Sequence, residues 1–318
     1  MDLPAGLARK VTKVPFNLPV GEGPGIGLAA AFSAYLMWGF APLYYKLIDT
    51  VPAVETIAHR IIWTVILLAL ALVLARRMGE VTAILKSPKL FLALCLSGAL
   101  IAANWTIFIH AINIERTVEV SLGYFTLPLI NVAMGVVILK ERLRPLQGLA
   151  ILLAAAGVGQ EMIRLGTLPW IALSLAALFA GYGYIRKVTA VGAAPGLFVE
   201  TLILLPVAVA ALVWFAGHGG ATPDASLSEW LLLAGTGVVT GVPLILFATG
   251  ARRLSLTVIG LLQYVAPTIQ FCLGAFLFGE PVADARVLTL ALVWVGLVLF
   301  TYDQVKTMRR KAPAANPQ

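Results

Sequence analysis

Ten runs of apolar residues separated by short polar stretches divide the chain, at 26–46, 53–75, 89–110, 117–139, 146–163, 168–187, 196–216, 228–250, 256–278 and 284–302. Each is close to the ~20 residues a helix needs to cross a bilayer core. The pattern predicts an all-α polytopic membrane protein of ten transmembrane helices. The longest connection, Gly217 to Leu227, has no apolar periodicity, so no separate soluble domain is expected. Residues 1–25 mix Arg9, Lys10 and Lys13 with Pro15, Pro19 and Pro24, which predicts a disordered tail. No short apolar region with a small-residue cleavage site follows those charges, so a signal peptide is not expected. Residues 303–318 form a basic tail.

The ten segments are two sets of five. Shifting the chain by 139 residues lays Gly260–Glu280 over Ser121–Glu141, with Pro267 over Pro128, Gln270 over Asn131, Gly274 over Gly135 and Glu280 over Glu141. The register continues outward to Phe108 over Phe247 and Gly157 over Gly296. Five is odd, so two five-helix repeats, 26–163 and 168–302, must enter the membrane in opposite directions. Such inversion offers two equivalent packings, one open to each side, the simplest basis for alternating access.

Within the repeat, Ser121, Tyr124, Pro128 and Asn131 fall in an arc of about 80° on a helix, as do Gly260, Gln263, Pro267 and Gln270. Proline frees the carbonyl four residues before it, here at Tyr124 and Gln263, and hydrocarbon cannot satisfy such groups. The stripes are expected to be two walls of a substrate path. The competing reading is a packing kink with Asn131 and Gln270 as interhelical hydrogen bonds.

Composition and charge sharpen this. Sixty per cent hydrophobic residues, 12% charged residues and a mean hydropathy of +0.94 exclude an ordinary soluble domain. The net charge of +8 does not point to nucleic acid. With a cytoplasmic N-terminus, 18 of the 23 Lys and Arg residues fall in inside segments, which predicts both termini in the cytoplasm. Cys95 and Cys272 sit inside apolar runs, so neither a disulfide framework nor a metal site is expected, and no cofactor. Membrane lipid is the expected surround, and a homodimer stays open.

The runs WGFAPLYYK (38–46), ETIAHRIIW (55–63), ANW (103–105), SLGYFTLPLINV (121–132), KERLRPLQ (140–147), GYGYIRK (181–187), VPLILFA (242–248) and QYVAPTIQ (263–270) resemble the RarD branch of EamA-type permeases, in the drug/metabolite transporter superfamily. The resemblance covers residues 26 to about 302. It implies a five-plus-five inverted fold with a central cavity. It also implies a bacterial inner-membrane protein that moves small metabolites such as amino acids, usually outward. It assigns no residue roles.

The residues themselves offer candidates. Lys46 and Glu55 flank one turn, Lys187 and Glu200 another, and the triplet V-E-T recurs at 54–56 and 199–201. A carboxylate inside the interface needs a partner, so Lys46–Glu55 and Lys187–Glu200 pairs are expected, as struts or as gates. His59 and Arg60 stand where the second half has Leu204 and Leu205, an asymmetry that could hold a proton or a substrate carboxylate. Arg60 bonded to freed helix carbonyls is the bland alternative. Asn104 aligns with Pro243, and with Tyr35, Trp38, Trp105, Tyr182 and Phe247 these residues suggest an aromatic cavity for an amphipathic small-molecule substrate. No Asp or Glu reaches the middle of a segment, which disfavours a strong proton relay. A secondary transporter, exporter or exchanger, is the expected function. A proton-coupled antiporter and a non-transporting receptor or scaffold are the alternatives. An enzyme is not expected, since no H-E-x-x-H, G-x-S-x-G or paired intramembrane aspartates occur.

Overall fold

The computed structural model of the chain describes residues 24–114, 116–279 and 284–311. The expected N-terminal tail to residue 23, the Glu280 counterpart of Glu141 and the end of the basic tail lie outside those residues, as do the side chains of Asn113 and Arg286. Among the described residues there are helices and no strands. The ten expected segments appear as α1 (Pro24–Tyr45), α2 (Ala53–Leu74), α3 (Pro88–Asn113), α4 (Thr117–Val137), α5 (Pro145–Leu165), α6 (Trp170–Val188), α7 (Ala193–Gly217), α8 (Leu227–Arg253), α9 and α10 (Asp284–Lys311). Helix α9 comprises Leu256–Gln263, Val265–Cys272 and a π-helical Leu273–Leu277. Nine of these are long and apolar enough to cross a membrane, and in α10 the apolar part is Val287–Asp303. A short helix, Met78–Lys86, lies between α2 and α3; it is amphipathic and its Val81 and Ile84 are buried. At nine residues it is too short to cross a bilayer.

The inversion is visible in contacts between mates. A Cβ on Gly157 of α5 would lie 3.1 Å from the Thr289 carbonyl of α10, and a Cβ on Gly296 of α10 would lie 2.8 Å from the Ala150 carbonyl of α5. Residues 157 and 296, and 150 and 289, are the 139-shift mates, so the contact is reciprocal. Going back along α5 goes forward along α10, so the two run antiparallel. Likewise Phe125 of α4 meets its own mate Tyr264 of α9, with ring centroids 6.5 Å apart and the Tyr264 hydroxyl donating to the Phe125 carbonyl at 3.2 Å. Gly135 near the end of α4 and Glu141 just beyond it meet Leu256 at the start of α9. Mates that touch antiparallel require a two-fold axis lying across the helices, the arrangement of inverted repeats.

Polar contacts define one face of the bundle. Gly27 near the start of α1 abuts Arg253, Lys187 reaches the Leu254 carbonyl, and Arg144 pairs with Asp303 at 2.8 Å. This tail face therefore carries the beginning of α1 and the end of α10. The opposite, far face carries the 46–52 and 218–226 connections.

Candidate functional site

Two levels of the bundle interior differ in character. Toward the tail face, Tyr35, Phe247 and Tyr182 are 1–2% exposed and pack with Trp38 and Phe179 into one aromatic cluster. Tyr182 stacks on Phe247 at 6.0 Å and 16°, Trp38 lies 5.8 Å from Phe247 and 5.6 Å from Tyr35, and Phe179 lies 5.5 Å from Phe247. Gly183 makes room, because a Cβ there would stand 3.1 Å from the Phe247 ring. Aromatic contacts of this kind add about 0.5–1.5 kcal/mol each beyond area burial. The cluster is a plug, not a lining, so Tyr35, Tyr182 and Phe247 are corrected from cavity walls to packed core.

Below the plug is a buried polar latch. Glu200 accepts a hydrogen bond from Ser97 of α3 and sits 3.5 Å from the Arg186 guanidinium, all at most 1% exposed. Arg186 also donates to the Gly192 and Ala193 carbonyls at the start of α7. The expected Lys187–Glu200 pair is not formed. Lys187 points the other way, donating to the Ala251 and Leu254 carbonyls at the C-terminus of α8, where freed carbonyls attract a cation. Glu200 is the eighth residue of α7 whereas Glu55 is the third of α2, so the repeated V-E-T triplet does not mark equivalent places. Glu200 is also deeper than the segment pattern implied.

Toward the far face, Glu55 does not pair with Lys46. Its carboxylate accepts from the Ala221 and Thr222 amides at 3.0 Å each and from the Thr222 hydroxyl at 2.6 Å. Lys46 instead sits 4.2 Å over the Phe278 ring. The reason is local: two amides and a hydroxyl converge on Glu55 from a 3-10 turn, and the Lys46 side chain is exposed to solvent or headgroup. Glu141 uses the same device at the tail face, accepting from the Leu256 and Thr257 amides at 2.8 and 3.0 Å and from the Thr257 hydroxyl at 2.7 Å. His59 belongs with Glu55, not with Arg60. It is 2% exposed, lies 3.2 Å from the Thr222 hydroxyl and stands edge-on to Trp230.

Between these levels the exposed ring of Tyr124 marks what we take as an opening. Tyr124 is 43% exposed yet neighbours Arg60 of α2 and Tyr45 of α1, so its accessible face looks into the bundle. Arg60 donates from Nε to the Thr240 hydroxyl at 2.9 Å, with its guanidinium 5.1 Å from the Trp105 ring and 5.6 Å from the Tyr45 ring. Ser121, Trp105 and Trp38 are half-buried. Trp38 belongs to the plug, and the others sit in the far half of their helices.

The proline stripes divide accordingly. Ser121 and Tyr124 reach the opening, while Pro128, Asn131, Gln263 and Pro267 are buried where α4 crosses α9. Asn131 donates to the Gln263 side chain at 2.5 Å, and the Tyr35 hydroxyl lies beside that same amide. A Cβ on Gly260 would stand 2.7 Å from the Pro128 carbonyl. Gln270 donates to the Trp38 carbonyl at 3.0 Å. That carbonyl is the one Pro42 of α1 leaves without its helical donor, so Gln270 repairs a break that reading the repeat alone passed over. Asn104 donates to the Leu175 carbonyl at 2.9 Å and ties α3 to α6, and Pro243 is buried in α8. Among the described residues, no group of three or more His, Cys, Asp and Glu is placed to hold a metal.

An inverted all-helical bundle with an opening between its halves is the architecture of a membrane permease. Its sequence agrees: a profile of the EamA-like transporter family matches residues 25–159. The protein RarD of Salmonella typhi is 43% identical over 288 residues, covering 90% of this chain and 97% of its own. An uncharacterized transporter of Vibrio cholerae is 41% identical over 294 residues, covering 92% and 97%. A solved crystal structure superposes with a TM-score of 0.66 over 87% of this chain and 97% of that one, at 20% identity, a likeness of fold. The chain belongs to the EamA family, as a permease of its RarD type.

Proposed function

We propose that the protein is a secondary transporter that carries small amphipathic metabolites across a bacterial inner membrane by alternating access, as an exporter or exchanger. One observation supports this most: the interior is accessible at Tyr124 in the far half and filled by the aromatic plug in the tail half. Such an interior suits a carrier closed on one side better than an open pore. The tail face carries Arg76, Arg77, Lys86, Lys140, Arg142, Arg186, Lys187, Arg252 and Arg253, which favours its being cytoplasmic. On that reading the described state faces outward. The test is counterflow: proteoliposomes preloaded with unlabelled metabolite accumulate the labelled form transiently. Equal uptake by empty liposomes across a metabolite panel overturns the proposal.

A proton-coupled mechanism is the second reading, and the wholly buried Glu200 favours it, because a carboxyl without water is where a proton could be held. Counterflow across a pH step decides. Drive by the pH gradient that vanishes in Glu200→Gln supports coupling, and indifference to the gradient rejects it.

A further inference from the structure

Arg60 is out of keeping with its surroundings. Only its Nε is used, by Thr240. Among the described residues neither terminal nitrogen has an acceptor, and no carboxylate lies within ion-pair distance. Four carboxylates on neighbouring elements have other partners: Glu55 the 221–222 amides, Glu119 through one oxygen Arg116 at 2.8 Å, Glu229 Ser226 and Thr50, and Glu200 the latch beyond the plug; the second oxygen of Glu119 is buried without a partner among the described residues. His59, next in sequence, turns to Thr222. The other ionisable groups facing Arg60 are the phenols Tyr45 and Tyr124. Lys46, further out over Phe278, adds a second positive charge on the far side.

A guanidinium inside a membrane protein without a counter-charge is costly unless something supplies one. Here its pinned Nε leaves the two terminal amino groups as a fork, the geometry that grips a carboxylate through two parallel bonds. Trp105 and Tyr45 hold the guanidinium over their rings at 5.1 and 5.6 Å, and with the Tyr124 phenol nearby they give the fork an aromatic surround suited to a flat apolar body.

We propose that Arg60 anchors the anionic group of the transported solute, and that the preferred solutes are organic carboxylates with a planar apolar body and no compensating positive charge. This rests on the transport reading and narrows it. A cationic solute would be repelled by Arg60 and Lys46. A zwitterion would bring its ammonium close to the same two cations.

The test uses the full-length protein in detergent with benzoate, benzylamine and benzamide, which share one ring and differ in charge. Isothermal titration calorimetry is expected to give saturable binding for benzoate, about tenfold tighter than for the amine or the amide. Arg60→Gln should weaken benzoate by about tenfold or more and leave benzamide unchanged. Arg60→Lys keeps the charge, loses the fork and should fall between; it carries the comparison if Arg60→Gln does not fold. No saturable benzoate binding, equal affinity for all three probes, or wild-type benzoate affinity in both variants overturns the proposal. Benzoate binding without counterflow of any solute would instead overturn the transport reading and leave the anion site standing. Counterflow with wild-type benzoate affinity in Arg60→Gln would do the reverse.

Discussion

At the scale of single residues, the carboxylates are held by backbone amides and hydroxyls more than by lysines. Glu55 should therefore matter and Lys46 should not. Glu55→Gln keeps one acceptor and loses the charge, so it is expected to destabilise by about 1–3 kcal/mol, while Lys46→Gln should be near neutral. Thermal unfolding of the two variants in detergent, followed by intrinsic fluorescence, checks this; equal shifts would contradict it. Glu80 of the short helix gives the opposite kind of case. The Arg77 side chain bonded to it at 2.6 Å holds its carboxyl below the usual range. A depressed folded value means that the contribution is present at neutral pH and is lost as pH falls through that value. Because both partners are nearly half exposed, Glu80→Gln should cost under about 1 kcal/mol at pH 7. A melting series from pH 7 to pH 3 should show that small difference closing.

At the scale of elements, the ten spans were legible because bilayer length and hydropathy are properties of the string of residues itself. The pairings inside the bundle were not. Arg186 and Lys187 are adjacent and equally basic, and only the packing of α6 against α7 and α8 decides that the first meets Glu200 and the second caps α8. Asn131 and Gln263 read as two separate wet stripes because each lies on its own helix, and their meeting depends on how α4 crosses α9. Crossing helices also separate two neighbouring glycines of α5. Gly157 is pressed on α10, whereas nothing lies within 4 Å of a Cβ on Gly159. Gly159→Ala should stabilise by about 0.5–1 kcal/mol through helix propensity. Gly157→Ala should destabilise, and Gly296→Ala more so, by about 1–3 kcal/mol. Melting temperatures of the three variants test the order, and a stabilised Gly296→Ala would refute the reciprocal contact.

At the scale of the whole molecule, accessibility should be one-sided. In a background with Cys95→Ala and Cys272→Ala, Tyr124→Cys is expected to react with a membrane-impermeant maleimide applied from the far face, and Phe247→Cys from neither face. Labelling of both positions from both sides would show that the plug does not seal. The proline stripes predicted a substrate path, but Pro128, Asn131, Gln263 and Pro267 are buried in packing, and of the first stripe Tyr124 is the member with an exposed ring. The position of the opening was not legible, because exposure depends on which packing of the two halves the chain adopts.

The break in α9 at Tyr264, with its π-helical end, has no counterpart in α4, which runs unbroken through Pro128. Were the halves interchangeable, exchanging their roles would cost nothing and the carrier would idle equally between its two orientations. Unequal halves tilt that balance, and every ~1.4 kcal/mol of tilt changes the ratio of the two populations tenfold. On the proposed carrier reading, the discontinuity gives the molecule a preferred resting orientation before any gradient is applied, a bias of population that drives no net flux by itself.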